Sequence, residues 1–91
     1  MMSRIKADKQ DNVLYLKGEL DAHSLNEIWS TQHSILNGVT TIDVAQLTRV
    51  DSSGLATLVY FCTKYQTKLM GINPQLQTLI ALYDLQPVIM A

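Results

Sequence analysis

The chain has few of the residues that perform chemistry. Its 91 residues include one cysteine, two histidines, four glycines and two prolines, and only 16% are charged. A single Cys62 permits no internal disulfide, so nothing points to an oxidising compartment. Seven Lys and Arg against eight Asp and Glu give a formal charge of -1. That argues against a basic footprint for nucleic acid or an anionic membrane surface. Apolar runs are short. Leu58-Val59-Tyr60-Phe61-Cys62 falls far below the roughly 20 residues that span a bilayer. The opening Met1-Met2-Ser3-Arg4-Ile5-Lys6 leads into polar Asp8–Asn12, which is not the pattern of a signal peptide. The expectation is a soluble cytoplasmic domain over residues 1–91, with no direct membrane insertion. At 47% hydrophobic residues the chain is too apolar for disorder, and part of that surface is free to face a partner.

Enzyme signatures are missing too. There is no G-x-G-x-x-G or G-x-x-x-x-G-K-[ST] phosphate loop and no G-x-S-x-G elbow. His23 and His33 fall ten residues apart on one expected helix, about 80° around its axis and about 15 Å along it. They cannot share an ion, so both read as exposed residues. Cys62 lies on an apolar helical stripe and reads as a buried, inert thiol. Asp43 and Asp51 form no visible acid/base pair, and Asp51 suits a helix cap. No catalytic residue, metal or cofactor is expected.

What is present is an ordered succession of elements. Ile5–Ala7 and Val13–Leu16 suit strands, with a hairpin turn over Lys9–Asn12. Leu25, Ile28, Trp29, Ile35 and Leu36 share a helical face that only Gln32 interrupts, and Asn37-Gly38 stops the helix. Ser24 and Glu27 have capping-box spacing, with Asp21 as an earlier cap. Val39–Val44 is β-branched at five of six positions and reads as a strand, followed by a polar connection over Gln46–Arg49. Leu55, Leu58, Val59 and Cys62 mark a second helix buried on more than one side. A short strand over Leu69–Ile72 precedes an Asn73-Pro74 helix start and the stripe Leu76, Leu79, Ile80 and Tyr83. Val88–Met90 suits a closing strand. The expected class is α/β, in the order β-β-α-β-α-β-α-β: a mixed, mostly parallel sheet with an N-terminal hairpin and about three helices. Helices should cover one face well and the other only partly.

Asp51-Ser52-Ser53-Gly54 is the most informative segment. Three small oxygen-bearing side chains precede an apolar helix, where free backbone N–H groups and the helix dipole favour negative charge. Gly54 permits close approach of a neighbouring backbone.

Val50-Asp51-Ser52-Ser53-Gly54-Leu55 resembles the signature loop of STAS domains, and Gly18-Glu19-Leu20-Asp21 resembles that family's segment between an early strand and the first helix. The order of elements agrees from about Val13 to Tyr83. Within the family, the likeness is nearer to the small STAS subunits of Gram-negative phospholipid-transport ABC complexes. It is carried by Leu25 with Ile28-Trp29, by Asn37–Val44, by Arg49–Asp51 with Gly54-Leu55-Ala56, and by Thr78-Leu79 with Leu82–Leu85. This resemblance implies a non-enzymatic subunit, peripheral to the inner membrane, that binds an ABC ATPase subunit and regulates or stabilises it. It implies partner-binding residues Asp51, Ser52, Ser53 and Gly54, with the family's functionally sensitive hydroxyl, often Thr, at Ser52. Ser53 stands where the pattern often has a second glycine, so the segment also resembles the phosphorylatable motif of anti-anti-sigma factors. The alternative partners are therefore an anti-sigma factor and a serine kinase acting on Ser52. Tyr65–Lys68 joins the second helix to the next strand by a shorter path than the family commonly uses.

Overall fold

A computed structural model describes residues 4–84. Strand β1 (Ile5–Gln10) turns through Asp11-Asn12 into β2 (Val13–Leu20), and the two pair antiparallel from Ile5↔Gly18 to Gln10↔Val13. Asp11 takes φ 56°, a left-handed conformation that Asp tolerates better than most residues. Both strands outrun their expected ends. In β1 the charges hid the strand: it is an edge that buries only Ile5, and Lys6, Asp8 and Lys9 guard it against further pairing.

Strand β3 (Thr41–Val50) lies parallel to β2, and β4 (Lys68–Met70) lies parallel to β3, giving the sheet order β1-β2-β3-β4. The polar stretch Gln46–Arg49, expected as a connection, is strand. Its residues pair with Lys17, Gly18 and Glu19, across two register shifts that hide the two-residue alternation. Leu14, Leu16, Ile42, Val44 and Leu69 are buried beneath the helices. On the opposite face Tyr15, Asp43 and Met70 line up across three strands, half-buried or exposed. One face is thus covered and the other open, as the small number of helices predicts.

The first helix is two short ones, α1 (Leu25–Trp29) and α2 (Gln32–Ile35). Between them the Thr31 hydroxyl donates to the carbonyls of Glu27 (3.1 Å) and Ile28 (3.3 Å), competing with the backbone ladder where the helix breaks. Helix α3 (Ser52–Tyr65) ends at Gln66, whose left-handed φ 55°, ψ 46° makes the short turn into β4. Helix α4 (Pro74–Leu82) begins as expected: Asn73 Oδ1 accepts the Leu76 N–H at 2.8 Å, and Pro74 opens the first turn. The expected strand at Val88–Met90 lies outside the described residues.

Helix α3 is the hub. Gly54, Leu55, Thr57, Leu58, Phe61 and Cys62 are all buried, so more than one side of it is covered as expected. A Cβ on Gly54 would stand 2.1 Å from the Leu20 carbonyl oxygen and 2.9 Å from its carbon. Only a residue without a side chain lets α3 start so close to the end of β2. Gly54→Ala should therefore destabilise the domain by about 2–3 kcal/mol in urea unfolding, in line with overpacked sites. A loss below about 0.5 kcal/mol would mean that the junction relaxes freely.

Candidate functional site

The two sequence motifs meet where β2 and β3 end. Leu20 and Val50 are the last register pair, and the Asp51 N–H donates to the Leu20 carbonyl at 3.4 Å. Extended backbone at Asp51 turns its carboxylate back over the helix. Oδ1 accepts the Gly54 N–H at 2.9 Å, while Oδ2 accepts the Ala22 N–H at 3.2 Å. One side chain thus caps α3 and ties it to the loop before α1.

Asp21 organises that loop. It is 1% exposed, and its Oδ1 accepts the N–H groups of His23 (2.9 Å) and Ser24 (3.1 Å). The Ser24 hydroxyl accepts the Asp21 N–H at 3.0 Å and donates to the Glu19 carbonyl at 2.7 Å. The capping box expected at Ser24 and Glu27 therefore does not form, because Ser24 faces the strand end and Asp21 caps in its place. Arg4 Nη1 stands 3.8 Å from Asp21 Oδ2 and 3.9 Å from Glu19 Oε1. Burial disfavours the Asp21 charge, but the amides of His23 and Ser24, the Ser24 hydroxyl and Arg4 outweigh it. Its pKa lies below the ordinary carboxylate value.

Above this scaffold Ser52 is exposed and Ser53 half-buried, whereas Gly54 is buried and both Asp51 oxygens are bonded within the fold. Of the four expected contact residues, the two serines have side chains free to meet another molecule. Ser52 lines an open groove of about 360 Å³ with Leu55, Ala56 and Tyr83. The exposed stripe of α3 continues from Ser52 through Ala56 and Tyr60 to Lys64 at four-residue spacing. Tyr60 (39% exposed) packs on Trp29 (40% exposed) with ring centroids 4.7 Å apart. Trp29 and Tyr83 read from periodicity as core residues, yet Trp29 is partly open and Tyr83 is 53% exposed. A helical stripe reports one face but not where that face overhangs the core. The sequence signal for this surface was Ala56, a small residue between larger ones.

Other candidates carry no site. His23 and His33 are exposed on separate turns, and Asp43 Oδ1 accepts the Ala45 N–H at 2.8 Å. Cys62 is buried, chiefly desolvation raises its thiol pKa, and it stays protonated near neutrality. Among the described residues no group of three His, Cys, Asp or Glu side chains could hold a metal, and no helix is long and apolar enough to cross a membrane.

This architecture defines a STAS-type domain, and comparison with known proteins agrees. The family profile described as the MlaB STAS domain matches residues 3–90, and the chain belongs to that family. It is 34% identical over 79 residues to the intermembrane phospholipid transport system binding protein MlaB of Escherichia coli strain K12, covering 81% of each chain. MlaB of Shigella flexneri is equally similar, with the same identity and coverage. Among solved structures, the unphosphorylated anti-sigma factor antagonist SpoIIAA superposes with a TM-score of 0.70 at 21% identity, covering 94% of this chain and 85% of that one. The phosphorylated form of SpoIIAA, a Bacillus cell fate determinant, gives 0.64 at 21% identity, covering 94% and 88%. At that identity the likeness concerns the fold.

Two outcomes test the scaffold. Asp51→Ala removes a cap and a loop tie together and should cost about 1–2 kcal/mol, read as a lower melting temperature. Asp21 titrates below its unfolded value of about 3.9, so its contribution is fully present above that pH and is lost as pH falls through the lower folded value. Asp21→Asn should therefore flatten the loss of melting temperature on acidification below about pH 4. An unchanged acid limb would assign that loss to other carboxylates.

Proposed function

We propose that the chain is a non-enzymatic accessory subunit of a phospholipid-transport ABC complex. It docks on the MlaF-like ATPase subunit, on the cytoplasmic side of the inner membrane, and regulates or stabilises that ATPase. Its family membership and the names of its MlaB relatives support this role. The observation that carries it is the exposed side of α3: a hydroxyl at Ser52, a small Ala56 in the groove floor, and the Trp29–Tyr60 pair within one surface. Ser52 and Tyr60 are eight residues apart, about 12 Å along the helix. Large aromatic side chains beside a shallow cleft are the usual anchors of protein interfaces, and neutral polar groups at the margin set register. Lys64 is the one charged member of the stripe, so shape rather than charge should dominate recognition.

Co-expression with the ATPase subunit of the same organism's transporter should yield a stable complex. Ala56→Arg keeps a good helix former on an exposed position but fills the groove, and Ser52→Lys places a bulky charge at its margin. Each should weaken the complex roughly tenfold or more, equivalent to about 1.4 kcal/mol, by leaving polar groups buried and unpaired. Ser52→Ala should do less. Wild-type binding by both bulky variants would overturn this surface.

A second reading keeps the same residue but changes the partner: an anti-anti-sigma factor switched by phosphorylation of Ser52. The exposure of Ser52 beside a second serine favours it, because a kinase could reach the hydroxyl. Phosphate incorporation by a cognate serine kinase that disappears in Ser52→Ala, with no binding to the ATPase, would decide for it.

A further inference from the structure

Gln32 is the polar residue that interrupts the apolar stripe of the first helical segment, and it is only 6% exposed. Its amide is bonded at both ends. Nε2 donates to the Trp29 carbonyl at 3.1 Å. Oε1 accepts the Tyr65 hydroxyl at 3.0 Å and the Lys64 ammonium at 3.4 Å. The residue therefore spans from the last turn of α1 to the last turn of α3. Lys64 Nζ in turn stands 5.4 Å from the ring centroids of both Tyr60 and Tyr65. Trp29 lies tilted against Tyr60, with centroids 4.7 Å apart, and at 6.0 Å stacks on buried Phe61. One side-chain amide thus bonds the backbone of Trp29 and the ammonium that stands beside the Tyr60 ring.

We propose that Gln32 is a positioning residue for partner docking: it locks the Trp29 backbone and the Lys64 ammonium, so that the Trp29–Tyr60 platform is rigid before the ATPase arrives. This rests on the docking surface proposed above. Between two short helices with a break at Ser30-Thr31, Trp29 has no long ladder to fix it, and ordering an aromatic side chain only on binding would cost affinity. A leucine of similar size could fill the same space. What it could not do is bond the Trp29 carbonyl and the α3 hydroxyl together.

Trp29 is the chain's single tryptophan, so its fluorescence reads the platform directly. Gln32→Leu removes both arms. Gln32→Glu keeps an acceptor for Tyr65 and Lys64 but sets an oxygen against the Trp29 carbonyl. Both folded variants, checked by far-ultraviolet circular dichroism, should show red-shifted Trp29 emission and at least twofold greater acrylamide quenching. Both should bind the co-expressed ATPase subunit at least fivefold more weakly, with Trp29→Ala measured alongside. If Gln32→Leu does not fold, Gln32→Glu decides. Wild-type quenching and wild-type affinity in either folded variant would overturn the lock. Wild-type affinity in Trp29→Ala would instead overturn the docking surface, and the proposal with it. Loss of binding in Trp29→Ala but not in the folded Gln32 variants would overturn only the lock.

Discussion

The carbonyl of Leu20 is the point on which the rest of the molecule is built. It receives the Asp51 N–H, and the bare Cα of Gly54 lies against it, so the ends of β2 and β3 and the start of α3 occupy one small volume. Parallel strands place their carboxyl ends side by side, and the crossover helix must begin directly beyond them. Here that start is pressed against the neighbouring strand, which fixes the direction of α3 over the sheet. Leu55, Leu58, Phe61 and Cys62 then fall on the core. Residues four apart on the opposite side, from Ser52 onward, are left facing outward by the same rotation. The site is therefore a consequence of the junction and not an addition to it.

Gly18, two residues before Leu20 near the same end of β2, has the same logic on the β1 side. Its φ of 102° and the 2.2 Å separation between a would-be Cβ and the Arg4 carbonyl oxygen exclude other residues there. The Glu19 N–H then bonds that carbonyl at 2.8 Å, and Arg4 reaches over Glu19 and Asp21. Both motif glycines are thus explained by backbone contacts, and both motif aspartates by bonds to backbone amides. The side chains of Ser52 and Ser53 carry no such bond, and of the two Ser52 is the exposed one.

Much of this was legible in the residues. Strand–helix alternation, the hairpin, the caps at Asp51 and Asn73 and the burial of Cys62 depend on local chemistry, which a sequence carries directly. The losses were non-local. Gln46–Arg49 looks polar because one face of the sheet is open and register shifts break the alternation, so β3 was cut short. Gln32 interrupts an apolar stripe, and only the positions of Trp29, Lys64 and Tyr65 reveal that burial suits it. At the site, the Asp51–Gly54 segment was visible as a motif, but its division of labour was not. Which of four residues point inward depends on the strand packed behind them.

That division also bears on what kind of contact Ser52 can make. Asp51 places a carboxylate at the head of α3, with its two oxygens on the N–H groups of Gly54 and Ala22, so the positive end of the helix already has its anion. A second negative charge on Ser52 would gain from the helix terminus and lose to Asp51, and in water each effect is about 1 kcal/mol or less. The near balance gives a charged Ser52 little intrinsic stabilisation, whereas a neutral hydroxyl meets no such conflict. Beside it, Leu55, Ala56 and Tyr83 offer an apolar cleft whose filling releases water without disturbing any charge. The charges at this helix start therefore neither strongly favour nor strongly oppose a phosphate on Ser52, and the cleft beside the hydroxyl is the part of this surface whose burial would release water.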